Sequence, residues 1–265
     1  MSLYQNRMII KVGTSTLTNE IGKNNLHSFD RLACVLSDIH NMGYEIILVS
    51  SGAIAVGTNK LQMKNRPSSM RLKQAAAAVG QCSIMFLYDK FFSDYDKTIA
   101  QILLNTDDIE NEEKKENLTN TFDTLLDLGV IPIVNENDSV SYTEIESEDR
   151  LFSDNDMLSA VVAILCRASK LVIFSDIDGF YDHDPRLYPD AMLISKIDCI
   201  DHSVHKLAGG AGSRRGTGGM KTKLNAAELV TAQGIDAIIT NGKNPDALYD
   251  IIKGHSIGTL FSGKK

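Results

Sequence analysis

Short runs rich in β-branched residues alternate with longer stretches of helical periodicity along the chain, and this alternation limits the possible folds more than any other feature. Arg7 to Thr14 (RMIIKVGT), Tyr44 to Ser50 (YEIILVS), KTIAQILL, Val130 to Asn135 (VIPIVN), Lys170 to Ser175 (KLVIFS) and DAIIT read as strands. Helical patterns fill the gaps. One runs from His27 to Met42 and stops at Gly43. Two follow the second strand, the latter from Ser68 to Tyr95. A charged one covers Asn105 to Leu128 and stops at Gly129, and an apolar one covers Asn155 to Arg167. The last two are Met220 to Gln233, stopped by Gly234, and Pro245 to Lys253. Strands apolar on both faces and separated by helices predict parallel βαβ units. The expected fold class is therefore α/β, an open, mostly parallel sheet sandwiched by helices. In such sheets ligands bind beyond the carboxyl ends of the strands. The unusual segments sit there: GTST, SSGA, NENDS and SDIDG each follow a strand.

A formal charge of −7 argues against general nucleic-acid binding, which needs a basic face. No uninterrupted apolar stretch approaches 18 residues, so no membrane span is expected, and the N-terminus lacks a signal-peptide pattern. Cys34, Cys82, Cys166 and Cys199 show no C-x-x-C spacing and read as reduced thiols of a cytoplasmic protein.

GTGGMKTK (Gly216 to Lys223) runs directly into a helix. Glycines let backbone N–H groups approach an anion, the helix N-terminus favours negative charge, and Lys223 lies one turn in. The pattern is neither a P-loop nor a dinucleotide fingerprint, and GTST after the first strand is not one either. Lys11 lies inside an apolar strand and either meets an anion or points to solvent from an edge strand. The N–H groups of Ser51 to Ala53 can grip a carboxylate, or Ser51 can act as an ordinary helix N-cap. NEND (Asn135 to Asp138) and DND (Asp154 to Asp156) gather amides and carboxylates at element boundaries, where Asp154 can cap the next helix. SDIDGFYDHDP fails the calcium-loop pattern because glycine comes too early, and His202 with His205 makes a poor metal pair without further ligands. Arg214 and Arg215 read as a solvated loop pair, with nucleotide contact as the less favoured alternative.

Taken in order, KVGTSTL, VSSGAIAVG, AAAAVGQ, IPIVNENDSV, SDNDMLSA, DIDGFYDHDPR, GTGGMKTKLNAA and IGTLF resemble the amino-acid kinase family over almost the whole chain. Within it, the resemblance is to the branch that phosphorylates the side-chain carboxylate of L-glutamate with ATP and Mg²⁺, the first step of proline biosynthesis. It implies one kinase domain over residues 1–265, the N-terminal part for the amino acid and the C-terminal part for ATP, with no PUA domain following. Lys11, Asp156 and Lys223 are the implied catalytic residues, the aspartate orienting both lysines. Ser51, Gly52, Ala53, Asn135, Asp138 and Asn155 are the implied substrate contacts. Lys11, Gly13, Ser175, Asp176, Thr217, Gly218, Gly219, Met220, Lys221, Thr222 and Lys223 are the implied ATP contacts, and no protein ligand of Mg²⁺ is assigned. L-Proline as inhibitor and a homo-oligomeric assembly are further implications. The loop between Asp138 and Asp154 departs from the pattern, with Ser153 where glycine is expected. A kinase for N-acetylglutamate, aspartate, carbamate or a nucleotide is the nearest alternative. A catalytically dead amino-acid sensor is another, which retention of both lysines and Asp156 opposes. The missing fingerprint disfavours a dehydrogenase.

Overall fold

The computed structural model describes residues 2–19, 23–140, 154–208 and 219–264. In chain order the elements are β1 (Tyr4–Val12), α1 (Thr14–Leu17), α2 (Leu26–Asn41), β2 (Glu45–Ser50), α3 (Ala53–Lys60), α4 (Met70–Ser93) and β3 (Ile99–Leu104). Then come α5 (Thr106–Glu110), α6 (Glu112–Asp127), β4 (Ile131–Glu136), α7 (Asn155–Leu165), β5 (Ala168–Ser175) and β6 (Lys196–Ile197). The last are α8 (His202–Ala208), α9 (Met220–Thr231), β7 (Asp236–Asn241), α10 (Ala247–Ile252) and β8 (Thr259–Phe261). The architecture is an open, mostly parallel sheet with helices, as the alternation predicts. Two compact units make up the chain, one from Met1–Lys11 with Phe152–Lys265 and the other from Val12–Leu151.

In the 12–151 unit the strand order is β3-β4-β2, all parallel. Ile46, Ile47, Leu48 and Val49 are fully buried, which is what a strand covered on both faces requires. The register pairs Val49 with Val134, so the segments leaving β2 and β4 emerge side by side. Helix α2 begins at Asn25, whose side chain accepts from the Ser28 N–H, and ends before Gly43 at φ +90°. Phe29 of α2 meets Tyr88 of α4 edge-on at 4.9 Å. The charged helix expected over Asn105 to Leu128 is instead two helices. Asn111 has an extended backbone, and its side chain accepts from the Lys114 N–H at 3.0 Å, so the chain restarts there with a new cap.

In the other unit the order is β1-β5-β7-β8-β6, parallel except for β7 against β8. Ile9 pairs with Leu171 and Lys11 with Ile173, while Ser175 pairs with Asn241. Met8, Ile9 and Ile10 are buried, as are Leu171, Val172 and Ile173. Arg7, also buried, donates to the Cys166 carbonyl at 2.8 Å and lies over the Tyr4 ring, fixing the amino end of β1. The short strands β6 and β8 and the short helices α1 and α8 carry too little periodicity to stand out in sequence.

Candidate active site

The charged centre of the unit containing β1 is built from three elements. Lys11 stands at the carboxyl end of β1, Asp156 in the first turn of α7, and Lys223 in the first turn of α9, which packs on α7. Asp156 is 1% exposed and takes one lysine on each oxygen: Lys11 Nζ at 2.6 Å from Oδ1 and Lys223 Nζ at 2.8 Å from Oδ2. Both lysines are themselves buried. The reading of Lys11 as a solvent-facing edge residue is thereby excluded. Burial pushes the Lys11 ammonium below its usual range and Lys223 adds to that, with Asp156 opposing. Burial alone would raise the Asp156 carboxyl, but Lys11 and Lys223 together outweigh it and hold the group below the ordinary carboxylate range.

Asp154 is the N-cap of α7, accepting from the N–H groups of Asp156 and Met157 at 2.9 and 3.0 Å. Burial and the neighbouring Asp156 charge raise its carboxyl above the usual range. Thr222 lies close to both Asp156 and its own helix start, with Oγ1 3.0 Å from Asp156 Oδ2 and 2.9 Å from the Gly219 carbonyl. Gly219 is the N-cap of α9, and no side chain of the described residues caps that helix start, where the dipole favours an anion. Met220 and Lys221 open the helix, Lys221 exposed. Thr217, Gly218, Arg214 and Arg215 lie outside the described residues. Ser175 ends β5 and donates to Asp176 Oδ1 at 3.3 Å, while Arg186 reaches Asp176 Oδ2 at 3.4 Å and Asp184 at 3.0 Å. Asn155 is the half-buried first residue of α7.

The 12–151 unit carries the second constellation. Ser51 is not the N-cap of α3; Gly52 is, at φ +99°. The Ser51 hydroxyl donates instead to the Val12 carbonyl at 2.9 Å. Only glycine adopts that backbone without strain, and a Cβ at Gly52 would stand 3.2 Å from Thr14 Oγ1. The result is a tight strand-to-helix turn over Ser51, Gly52 and Ala53. Gly13 immediately precedes α1 in the same unit. Asn135 at the end of β4 is 2% exposed, and its Oδ1 accepts from the Glu136 N–H at 2.9 Å. Its Nδ2 donates to Gln81 of α4 at 2.9 Å. Asp138 follows in the turn after β4, half-buried, and most of the loop beyond it (141–153) lies outside the described residues. Gln81 belongs to the AAAAVGQ segment. Its only sequence signal is an amide following glycine inside an apolar helix.

His205 pairs with Glu228 at 2.9 Å, and among the described residues no group of three or more His, Cys, Asp or Glu side chains is placed to hold a metal ion. No described helix is long and apolar enough to cross a membrane. Among the described residues no disulfide joins the cysteines.

Two buried lysines thus share one aspartate beside the start of α9. Residues 6–241 match the amino acid kinase family, and the chain belongs to it. The glutamate 5-kinase of Clostridium perfringens is 54% identical over 98% of this chain and 96% of its own length. That of Listeria monocytogenes is 50% identical over 98% and 94%. Among solved structures, the carbamate kinase of Giardia lamblia bound to AMP-PNP aligns over 97% of this chain and 98% of its own, with a TM-score of 0.68 at 16% identity. The UMP kinase of Bacillus anthracis gives 0.65 at 14% identity, covering 98% and 97%. These two share the fold.

Proposed function

We propose that this chain transfers the γ-phosphoryl group of ATP to the side-chain carboxylate of L-glutamate, giving L-glutamyl 5-phosphate at the head of proline biosynthesis. The observation that supports phosphoryl transfer is the Lys11–Asp156–Lys223 group. The acceptor follows from relatives named glutamate 5-kinase at about half identity over nearly the full chain.

A carboxylate acceptor has a pKa of about 4.3 and is ionised at neutral pH. It therefore needs no general base. The obstacle is repulsion between an anionic nucleophile and a polyanion. The two lysines, buried where water screens little, place positive charge on the transferring group, and Asp156 fixes where each points. The N–H groups at the start of α9 take the phosphate chain. Ser175 and Asp176 flank the nucleotide at the carboxyl end of β5, and Gly13, Thr217 and Gly218 join the ATP contacts. Mg²⁺ supplies charge neutralisation on the phosphates, carried in on the nucleotide rather than in an all-protein cage. Asp156 cannot be the nucleophile, because both its oxygens are engaged.

The acceptor binds through the Ser51–Ala53 turn, which presents N–H groups to the α-carboxylate, and through Asp138, which balances the α-ammonium. Asn135 and Asn155 are the further acceptor contacts. An N-acetylated amine would not need Asp138, which favours the free amino acid. L-Proline has the same carboxylate and a cationic amine, so it occupies these groups and inhibits in competition with glutamate. The working assembly is a cytoplasmic homo-oligomer, as the family resemblance implies; light scattering tests this.

ATP, Mg²⁺, L-glutamate and hydroxylamine should yield γ-glutamyl hydroxamate with matching ADP release. Equal or better turnover with N-acetylglutamate or aspartate would overturn the acceptor assignment.

A further inference from the structure

Helix α4 lies directly behind both turns of the 12–151 unit. A Cβ added at Gly80 would stand 1.8 Å from the Ala53 carbonyl oxygen and 2.7 Å from the Gly57 nitrogen. Only a hydrogen at this position lets α3 seat so closely, and Ala53 is the residue at which the Ser51–Ala53 turn becomes helix. The next residue, Gln81, accepts from Asn135 Nδ2 at 2.9 Å. Since the Glu136 N–H already specifies which end of the Asn135 amide is oxygen, Gln81 fixes the other end and with it the rotation of that side chain. Two turns further along the same helix, the Tyr88 hydroxyl meets the Ser50 hydroxyl at 3.0 Å, both groups buried, immediately before the Ser51 turn. Three contacts from one helix therefore bear on the ends of β2 and β4.

We propose that Gly80 and Gln81 are positioning residues for the acceptor: Gly80 sets the depth of the Ser51–Gly52–Ala53 turn, and Gln81 sets the orientation of Asn135. This rests on the reading of those turns as the acceptor site. Neither residue touches substrate. Each acts through a residue that does, so their loss weakens acceptor binding and leaves the nucleotide half alone.

Gln81→Met keeps length and apolar bulk but removes the acceptor oxygen. It should raise the KM for glutamate about 5- to 50-fold, the scale of a hydrogen bond lost from a buried amide. Its KM for ATP should stay within twofold. Calorimetric titration with glutamate should show the same loss without turnover. If Gln81 works through Asn135, then in an Asn135→Ala background Gln81→Met adds less than twofold. Multiplicative effects would mean that Gln81 contacts the ligand itself and would overturn the positioning role. Gly80→Ala should raise the glutamate KM further or prevent folding; the Gln81 series decides the matter in either event. A parent protein that turns over no glutamate would sink the functional reading. An active parent whose Gln81→Met variant keeps its glutamate affinity would sink this inference alone.

Discussion

Replacing Asp156 by asparagine keeps the side-chain shape and removes the negative charge that two buried ammonium groups share. In the folded protein Lys11 and Lys223 stand 2.6 and 2.8 Å from that carboxylate, and all three residues are at most 7% exposed. Breaking a buried ion pair from one side costs about 3–5 kcal/mol, because the partner charge stays uncompensated. For a chain of this size that corresponds to a fall in melting temperature of roughly 6–20 °C. The deficit carries a pH signature. Lys11 already has a folded-state pKa below its ordinary value of 10.5, and loss of Asp156 lowers it further. Between the folded and unfolded lysine pKa the unfolded chain binds more protons, so stability rises with pH. The variant should therefore be weakest relative to its parent near neutrality and recover as the pH climbs towards the ordinary lysine value. Thermal unfolding followed by circular dichroism from neutral to alkaline pH measures this directly, and kcat should drop by about 10²–10³-fold in parallel. A variant as stable as its parent at pH 7, or a deficit that does not change with pH, would refute the description of the three residues as a buried charged group.

The lysines can be tested singly: Lys11→Ala or Lys223→Ala should lower kcat about 10²–10³-fold with far less effect on glutamate affinity, and near-normal kcat would make that lysine structural. Asp138→Ala should mainly raise the KM for glutamate, read from initial rates at saturating ATP; a kcat defect at unchanged KM would show that it acts in the chemical step instead. Proline inhibition should be relieved by saturating glutamate and weakened in Asp138→Ala, and inhibition that glutamate cannot reverse would exclude a shared site.

Most of the strands and long helices were legible because strands covered on both faces need unbroken apolar runs. KLVIF and EIILV cannot be read otherwise. Glycines at 43, 129 and 234 marked helix ends and take positive φ as expected. What escaped depends on partners distant in sequence. Lys11 was ambiguous because only the fold brings Asp156 beside it. Ser51 resembled an N-cap until the left-handed Gly52 took that position and the Val12 carbonyl took the hydroxyl. The break at Asn111 was hidden because asparagine in a charged helix carries no mark of whether it caps or continues. Gln81 was invisible as a polar anchor, since its bond to Asn135 spans 54 residues.

The order in which the chain leaves the ribosome follows from how the two compact units are threaded. Residues 12–151 are one unbroken stretch and can close their own core as soon as they emerge. Most of strand β1 lies outside that stretch, and its partner β5 is made more than a hundred residues later, a delay on the order of ten seconds at usual elongation rates. Until then the pairing of Met8 to Lys11 with β5 is missing, and an open edge on an apolar strand is the kind of feature that recruits chaperones or aggregates. The Ser51 turn can thus form early, whereas Lys223 joins Lys11 and Asp156 last. A ribosome-arrested chain ending near residue 151 should resist proteolysis in β2, β3 and β4, and no ATP is hydrolysed until α9 has been translated.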